Sequence, residues 1–247
     1  MYKEHPVFKA PEDPDVKIWR YLSLPKFISM IHSESIFFAR ADKFEDKFEG
    51  SYSHANVELR PQIYKDKIPE SAMSQLSEFS KHMLRYTIIN CWHINENESA
   101  AMWKLYCSNN EGIAVQSTFN RLITSFDDDP DESIFVGKVQ YIDYNTEWLP
   151  EGNALYPFVH KRKSFEHERE LRAVIQELPM SNGHIDFSKE LFDYGKNLHV
   201  NLDNLIENIY VAPNSRRWFI EAVQVTVERF NLQKEILVSD LSNDPVY

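Results

Sequence analysis

The chain has 247 residues, of which 43% are hydrophobic and 13% aromatic, and its formal net charge is −11. A chain of this length buries roughly 73% of its unfolded surface, so it needs neither a disulfide nor a structural metal to hold a core. This negative net charge argues against extensive nucleic-acid binding, because proteins bind phosphate backbones through clustered lysine and arginine.

Taken from the N-terminus, the predicted elements are a strand at Lys17–Ser23, a helix at Leu24–Glu34, strand Ser35–Arg40, helix Ile68–Arg85, strand Tyr86–His93, helix Glu98–Cys107, and strands Gly112–Thr118, Ser133–Asp143, Glu168–Gln176, Asn197–Asn201 and Asn208–Ala212. A late helix follows a cap at Asn214 or Ser215, and a strand at Glu235–Ser239 ends the pattern. Strands outnumber convincing crossover helices. This order predicts an α+β fold with a mixed or mostly antiparallel sheet and flanking helices.

The two cysteines, Cys91 and Cys107, lie in apolar surroundings and outside any CxxC or Cys/His cluster. We therefore expect two free thiols in a reducing compartment. Residues 1–15 are polar and acidic, unlike a signal peptide, and no segment reaches the roughly 20 apolar residues of a membrane helix. The expectation is a cytoplasmic protein with one domain over residues 1–247, in which residues 1–15 form a loosely ordered extension.

The motifs of the best-marked enzyme classes are missing. The chain has only six glycines, and they form neither a GxGxxG nor a GxxxxGK[ST] phosphate-binding loop. The GxSxG, HExxH and DxDxDG motifs are also missing. These absences exclude the commonest nucleotide-binding folds, hydrolases and metalloenzymes. No metal site is predicted, since the acidic segment Lys43–Gly50 supplies too few oxygen ligands.

The most informative segment is the strand predicted at Glu168–Gln176. Its alternation sends three residues to the core: Leu171, Ala173 and Ile175. Glu168, Glu170 and Arg172 then share the opposite face. One interpretation is a functional pair of carboxylates, in which one stays ionised and the other has a shifted pKa. Enzymes that cleave glycosidic bonds use such a pair to stabilise an oxocarbenium-like transition state. The other is a solvated face of Glu–Arg pairs.

Arg20 is the unusual residue of the first strand, because it lies between Ile18 and Leu22 on one face. Burying a guanidinium is costly unless it is paired or binds an anion. The residue is therefore either a clamp for a phosphate or carboxylate, or a structural ion pair with a glutamate of the Glu168–Gln176 strand.

Aromatic residues recur at helical spacing after Trp92, namely Trp103 and Tyr106. Such a cluster is typical of a core, and the same faces could also form a platform for a planar ring. The pattern leaves both interpretations open.

The order of several motifs resembles the bacterial domain-of-unknown-function family 2971. They are IWRYLS (Ile18–Ser23), SIFFARADKFEDKFEG (Ser35–Gly50), the block Ile89–Val115 with its Met-Trp-x-x-Tyr, KVQYID (Lys138–Asp143), KSFEHERELR (Lys163–Arg172) and ENIYVAP (Glu207–Pro213). The chain departs from the family pattern at Glu45, where asparagine is usual, and at Lys47, where proline is usual.

At a further remove the chain is similar to the ADP-ribosyltransferase superfamily, which implies an ADP-ribosyltransferase-like fold and NAD as the substrate. The resemblance assigns Arg20 to holding NAD, Glu170 to the nicotinamide ribose, and Glu168 to the second catalytic position. The serine motif of the middle strand has no counterpart, since Asn90-Cys91-Trp92 stands there.

The resulting expectation is an NAD-binding, ADP-ribosyltransferase-like protein with catalytic Glu170 and Glu168. Five residues are assigned to NAD binding: Arg20, Tyr21, Ser23, Trp103 and Tyr106. The expected partner is a small anionic nucleotide or a protein, and the resemblance implies a role in phage defence or toxin–antitoxin conflict. The alternative is a non-catalytic interaction module, such as an antitoxin or sensor.

Overall fold

The computed structural model describes residues 1–65, 67–107, 110–126 and 132–246. Its strands are β1 (Lys17–Ser23), β2 (Ser35–Arg40), β3 (Thr87–Ile94), β4 (Gly112–Thr118), β5 (Phe135–Lys138), β6 (Gln140–Ile142), β7 (His160–Arg162), β8 (Glu170–Gln176), β9 (Met180–Ser181), β10 (His184–Ile185), β11 (Gly195–His199), β12 (Asn208–Val211) and β13 (Ile236–Val238). Its α-helices are α1 (Leu24–His32), α2 (His54–Ile63), α3 (Glu70–Met83), α4 (Ala100–Tyr106), α5 (Phe119–Ser125), α6 (Leu202–Leu205) and α7 (Arg217–Arg229).

Nine of these strands form one sheet. Seven follow the order β11-β2-β3-β1-β4-β12-β13, while β8 pairs with β3 and β5 pairs with β8. Every pairing in this sheet is antiparallel except that of β12 with β13. The predicted α+β fold with a mostly antiparallel sheet is therefore confirmed.

The sheet divides beside β3. On the edge of β3 that faces away from β8, β1 pairs with His93 and Ile94, whereas β2 pairs with Ile88 and Ile89. Residues 90–92 of β3 pair with neither strand along that edge. We call this opening between β1 and β2 the fork.

The core lies on both faces of the sheet. The rear face packs against α1, α5 and α7, and the front face carries α4 and the short helix Tyr156–Val159. The residues of β8 predicted to enter the core do so on the rear face: Leu171, Ala173 and Ile175. The remaining side chains of β8 therefore leave from the front.

Several predicted boundaries are wrong, including that of the strand predicted at Asn197–Asn201, which is β11 at Gly195–His199. The strand expected from Glu168 begins at Glu170, because Lys163–Glu168 forms a 3₁₀ helix that ends at a left-handed Arg169 (φ 41°). Helix α7 begins after Arg216, since the Ser215 hydroxyl donates to the carbonyls of Asn110 and Ala212. The strand predicted at residues 133–143 is divided into β5 and β6. Helices α2, α5 and α6 and strands β7, β9 and β10 had no predicted counterpart.

The N-terminal segment contacts the domain. Val7 and Phe8 are buried, and Tyr2 forms a β-bridge with Ile134. Both cysteines are free thiols. Among the helices that the structure describes, none is long and apolar enough to cross a membrane.

Candidate functional site

Five charged side chains meet on the front face of β8. Lys161 Nζ donates to Glu168 Oε2 and Glu170 Oε1, both at 2.6 Å. Arg172 donates through Nε to Glu170 Oε2 at 2.6 Å and through Nη1 to Glu49 Oε1 at 2.5 Å. We call these five residues the charge cluster.

The charge cluster is largely buried, so the interpretation as a solvated strand face is wrong. Arg172 is fully buried and Glu170 is 6% exposed. Glu168 is not on the strand at all. The left-handed turn at Arg169 nevertheless brings its carboxylate beside that of Glu170, where Lys161 binds both.

The charges of the cluster explain how its two neighbouring glutamates titrate. Burial acts to raise the pKa of Glu170, but Arg172, Glu168 and Lys161 together hold it well below its ordinary value. Burial, reinforced by the neighbouring Glu170 carboxylate, raises the pKa of Glu168 to about 7. With every member ionised the cluster carries three negative and two positive charges. A proton on Glu168 makes it neutral, which is the cheaper state in a dry site.

This proton predicts a pH dependence of stability. Because the folded pKa of Glu168 is raised, its contribution to stability is present below the unfolded pKa and is lost as the pH rises through about 7. The Glu168→Gln variant has no such proton. Between pH 5 and 8, we expect the wild type to lose about 2 kcal/mol more unfolding free energy than the variant does. Urea denaturation of both proteins at the two pH values measures the difference, and parallel pH profiles would contradict the assignment.

Arg20 lies in the fork. Its Nη1 donates to the Cys91 carbonyl at 2.8 Å and its Nη2 to the Phe37 carbonyl at 3.5 Å, and the guanidinium lies 5.9 Å from the centre of the Trp92 ring. No carboxylate among the described residues lies within 4.0 Å of it, so the ion pair predicted with a glutamate is absent from the part of the chain that the structure describes. Burial lowers the pKa of this uncompensated guanidinium.

Two other polar groups near Arg20 lack partners. Among the described residues, nothing within hydrogen-bond distance contacts the buried Asn90 Oδ1 or the buried Trp92 Nε1. The Asn90 Nδ2 donates to the same Phe37 carbonyl that Arg20 approaches. The fork therefore combines an uncompensated cation with one unused acceptor and one unused donor, and each is costly to bury alone.

Arg20 and Glu170 leave their strands on opposite faces of the sheet. Trp19 pairs with His93, and His93 pairs with Glu170, so these three share the front face. Arg20 leaves from the rear and reaches into the fork. Burial raises the pKa of the Tyr106 hydroxyl, and the nearby charges of Glu168 and Glu170 raise it further.

The other residues predicted to bind NAD differ in how far they are buried. Tyr21 and Trp103 are buried with their rings edge to face at 4.9 Å, and the Tyr21 hydroxyl accepts from the Ser99 amide. Ser23 is half-buried at the start of α1. The side chain of Tyr106 is 51% exposed, which leaves part of its ring open to a ligand.

Several residues of this region had no role in the sequence prediction. Lys161 and Glu49 belong to the charge cluster but lie nine and 121 residues before Glu170 in the chain, and their charge alone is not a distinctive signal. Asn90 and Trp92 could have been found, because the resemblance stated above sets Asn90-Cys91-Trp92 at the position of a functional serine motif. Among the described residues there is no group of three or more side chains that could hold a metal ion.

No protein-family model matches the chain, and no curated protein sequence matches it. The resemblance to family 2971 therefore stays a prediction. Among solved structures, the chain is similar to Thermus sp. 2.9 DarT in complex with NAD+, with 7% identity, a TM-score of 0.44 and coverage of 96% of this chain and 100% of that one. The same protein in complex with ADP-ribosylated ssDNA gives 8% identity, a TM-score of 0.43, and coverage of 96% and 99%. Likeness at this level carries no argument about function, which rests on the geometry of this chain.

Proposed function

We propose that this protein binds NAD between the fork and the charge cluster and acts as an ADP-ribosyltransferase-like enzyme. The observation that carries the proposal is the uncompensated Arg20 guanidinium in the fork, on the opposite edge of β3 from the strand that carries the ionised Glu170. An unpaired, partly buried cation is expensive unless it meets an anion, and a dinucleotide supplies one in its pyrophosphate.

Each residue has a distinct part in this proposal. Arg20 binds the pyrophosphate, and the open face of Tyr106 packs against a planar ring. Lys161 and Arg172 keep Glu170 ionised, so that its negative charge faces the ribosyl cation that develops as the nicotinamide bond breaks. Glu168, which holds a proton near neutral pH, orients the acceptor. Tyr21 and Trp103 support this site from the core and do not stack on the ligand.

A non-catalytic binding module is the second candidate, and one observation favours it. Both carboxylate oxygens of Glu170 are already bound by Lys161 and Arg172, and Glu170 is buried. Binding of NAD without turnover would fit that arrangement. A role in phage defence or toxin–antitoxin conflict is compatible with either candidate, and it rests on the family resemblance alone.

Calorimetric titration with NAD and with ADP-ribose tests the binding step, and chromatography of released nicotinamide tests turnover. Binding with nicotinamide release supports the enzyme, whereas binding without release supports the module. If wild-type protein binds neither molecule, the proposal fails.

Replacing Arg20 with alanine tests the anchor of the site. Its removal leaves no described carboxylate unpaired, so we expect the unfolding free energy to change little while NAD affinity falls by about 1.5–3 kcal/mol, the range for charged hydrogen bonds. Calorimetry and urea denaturation of the same preparation measure the two effects. The surface variant Arg217→Ala is the control and should change neither. Unchanged NAD affinity in Arg20→Ala would remove Arg20 from the site.

A further inference from the structure

A cavity of about 350 Å³ lies at the end of β3 and β8, beside the left-handed turn at Arg169. Its volume falls in the range of small-molecule pockets. Ile94 and Val139 give it an apolar wall, and Lys138, Asn95 and Tyr141 line the rest together with Arg169.

Four of the six polar side chains around this cavity supply hydrogen-bond donors, and the other two are Glu96 and Glu170. The Tyr141 hydroxyl accepts the Glu170 amide proton at 2.8 Å, which leaves its own proton to donate. Asn95 Oδ1 accepts from Arg169 Nη1 at 3.4 Å, which leaves the Asn95 amino group to donate. Within the described chain, neither donor has an acceptor, and Lys138 Nζ has no partner. Four donor groups therefore border one space.

The two cations at the cavity are not paired with its two carboxylates. Neither Lys138 nor Arg169 forms a salt bridge with a described residue, and Lys138 is half-buried while Arg169 is exposed. Glu170 also lines the cavity, but its carboxylate oxygens are taken by the charge cluster. Glu96 reaches the rim, where it is exposed to solvent.

The backbone at Arg169 adds an independent observation. Arg169 has φ 41° and ψ 54° where it ends the 3₁₀ helix, a position that glycine or asparagine occupies at lower cost. The turn places the exposed Arg169 side chain at the cavity, where its guanidinium makes one long contact with Asn95 at 3.4 Å.

We propose that this cavity is a second ligand site, which binds the phosphate ester group of a small molecule. Lys138, Arg169, the Asn95 amino group and the Tyr141 hydroxyl would bind the phosphate oxygens, and Ile94 and Val139 would pack against the organic part. A phosphate offers several acceptor oxygens and negative charge, which matches a donor-rich site with two cations. This site shares Glu170 with the proposed NAD site but does not include Arg20.

Calorimetric titration of the full chain with phenyl phosphate, benzoate and phenol tests the site. We expect phenyl phosphate to bind at least 10-fold more tightly than benzoate, and phenol not to bind. Lys138→Met and Arg169→Asn should each weaken phenyl phosphate binding by about 10- to 100-fold, since each removes charged hydrogen bonds. Asparagine accepts the left-handed backbone, so the second variant should keep the fold. Equal affinity for benzoate would overturn the phosphate assignment.

Two further results separate this site from the fork. Lys81→Met, which alters an exposed lysine paired with Glu78, and Arg20→Ala should both keep phenyl phosphate binding within 2-fold. Loss of binding in Arg20→Ala would overturn the second site, because the phosphate would then occupy the fork. Arg169→Gly should raise the melting temperature while weakening binding, and a variant that retained full affinity would contradict the proposal.

Discussion

Replacing Arg172 with methionine is expected to lower the free energy of unfolding by about 3–5 kcal/mol, the range for removing one partner of a buried ion pair. The guanidinium is fully buried and binds Glu170, Glu49 and the Phe158 carbonyl. Methionine has a similar length and fills the space with apolar atoms. It leaves two buried carboxylates with only Lys161 to balance them, and that imbalance is the source of the loss. Urea denaturation at pH 7 measures it.

The matched control is Arg217→Met on the exposed face of α7. Arg217 also binds a glutamate, Glu221, but its side chain is 92% exposed. Exposed pairs contribute little, so we expect a change below about 0.5 kcal/mol. A loss below about 1 kcal/mol in Arg172→Met would show that water reaches the charge cluster.

Replacing Glu170 with glutamine is expected to lower the rate of NAD turnover by 10²- to 10³-fold, about 2.7–4 kcal/mol, while NAD affinity changes little. Glutamine preserves the shape of the side chain and removes the negative charge that would face the ribosyl cation. The variant should fold, because Lys161 and Arg172 are still balanced by Glu168 and Glu49. The pKa of Glu168 should then fall toward its ordinary value, because the neighbouring carboxylate is gone. Release of nicotinamide measures the rate, and calorimetry measures the affinity.

Glu168→Gln is the matched control, because it removes a carboxylate bound by the same Lys161 Nζ. Its effect on turnover should be smaller or limited to the choice of acceptor. A Glu170→Gln protein that turns over NAD at the wild-type rate would exclude Glu170 as the catalytic charge. The non-catalytic module would then be the better candidate.

Local residue patterns determined much of the fold. Strands β2 and β4 begin and end where predicted. Strand β2 is apolar on both faces, as expected for a strand that lies between two others, here β11 and β3. The alternation of side chains along β8 predicted that Leu171, Ala173 and Ile175 face the core, and the structure confirms this. Side-chain alternation within one strand depends only on neighbouring residues, so it can be predicted without knowing what the strand packs against.

What covers the other face of β8 was decided by the tertiary structure. The same Glu–Arg pattern would suit a solvated face. In the folded protein, Lys161 from β7 binds Glu170, and Glu49, which lies 123 residues before Arg172, binds Arg172. The environment of Arg20 depends likewise on register, because the fork exists only where β1 and β2 pair with different ends of β3. Contacts between residues far apart in the chain leave no local pattern, and the burial that raises the pKa of Glu168 to about 7 is visible only in the folded protein.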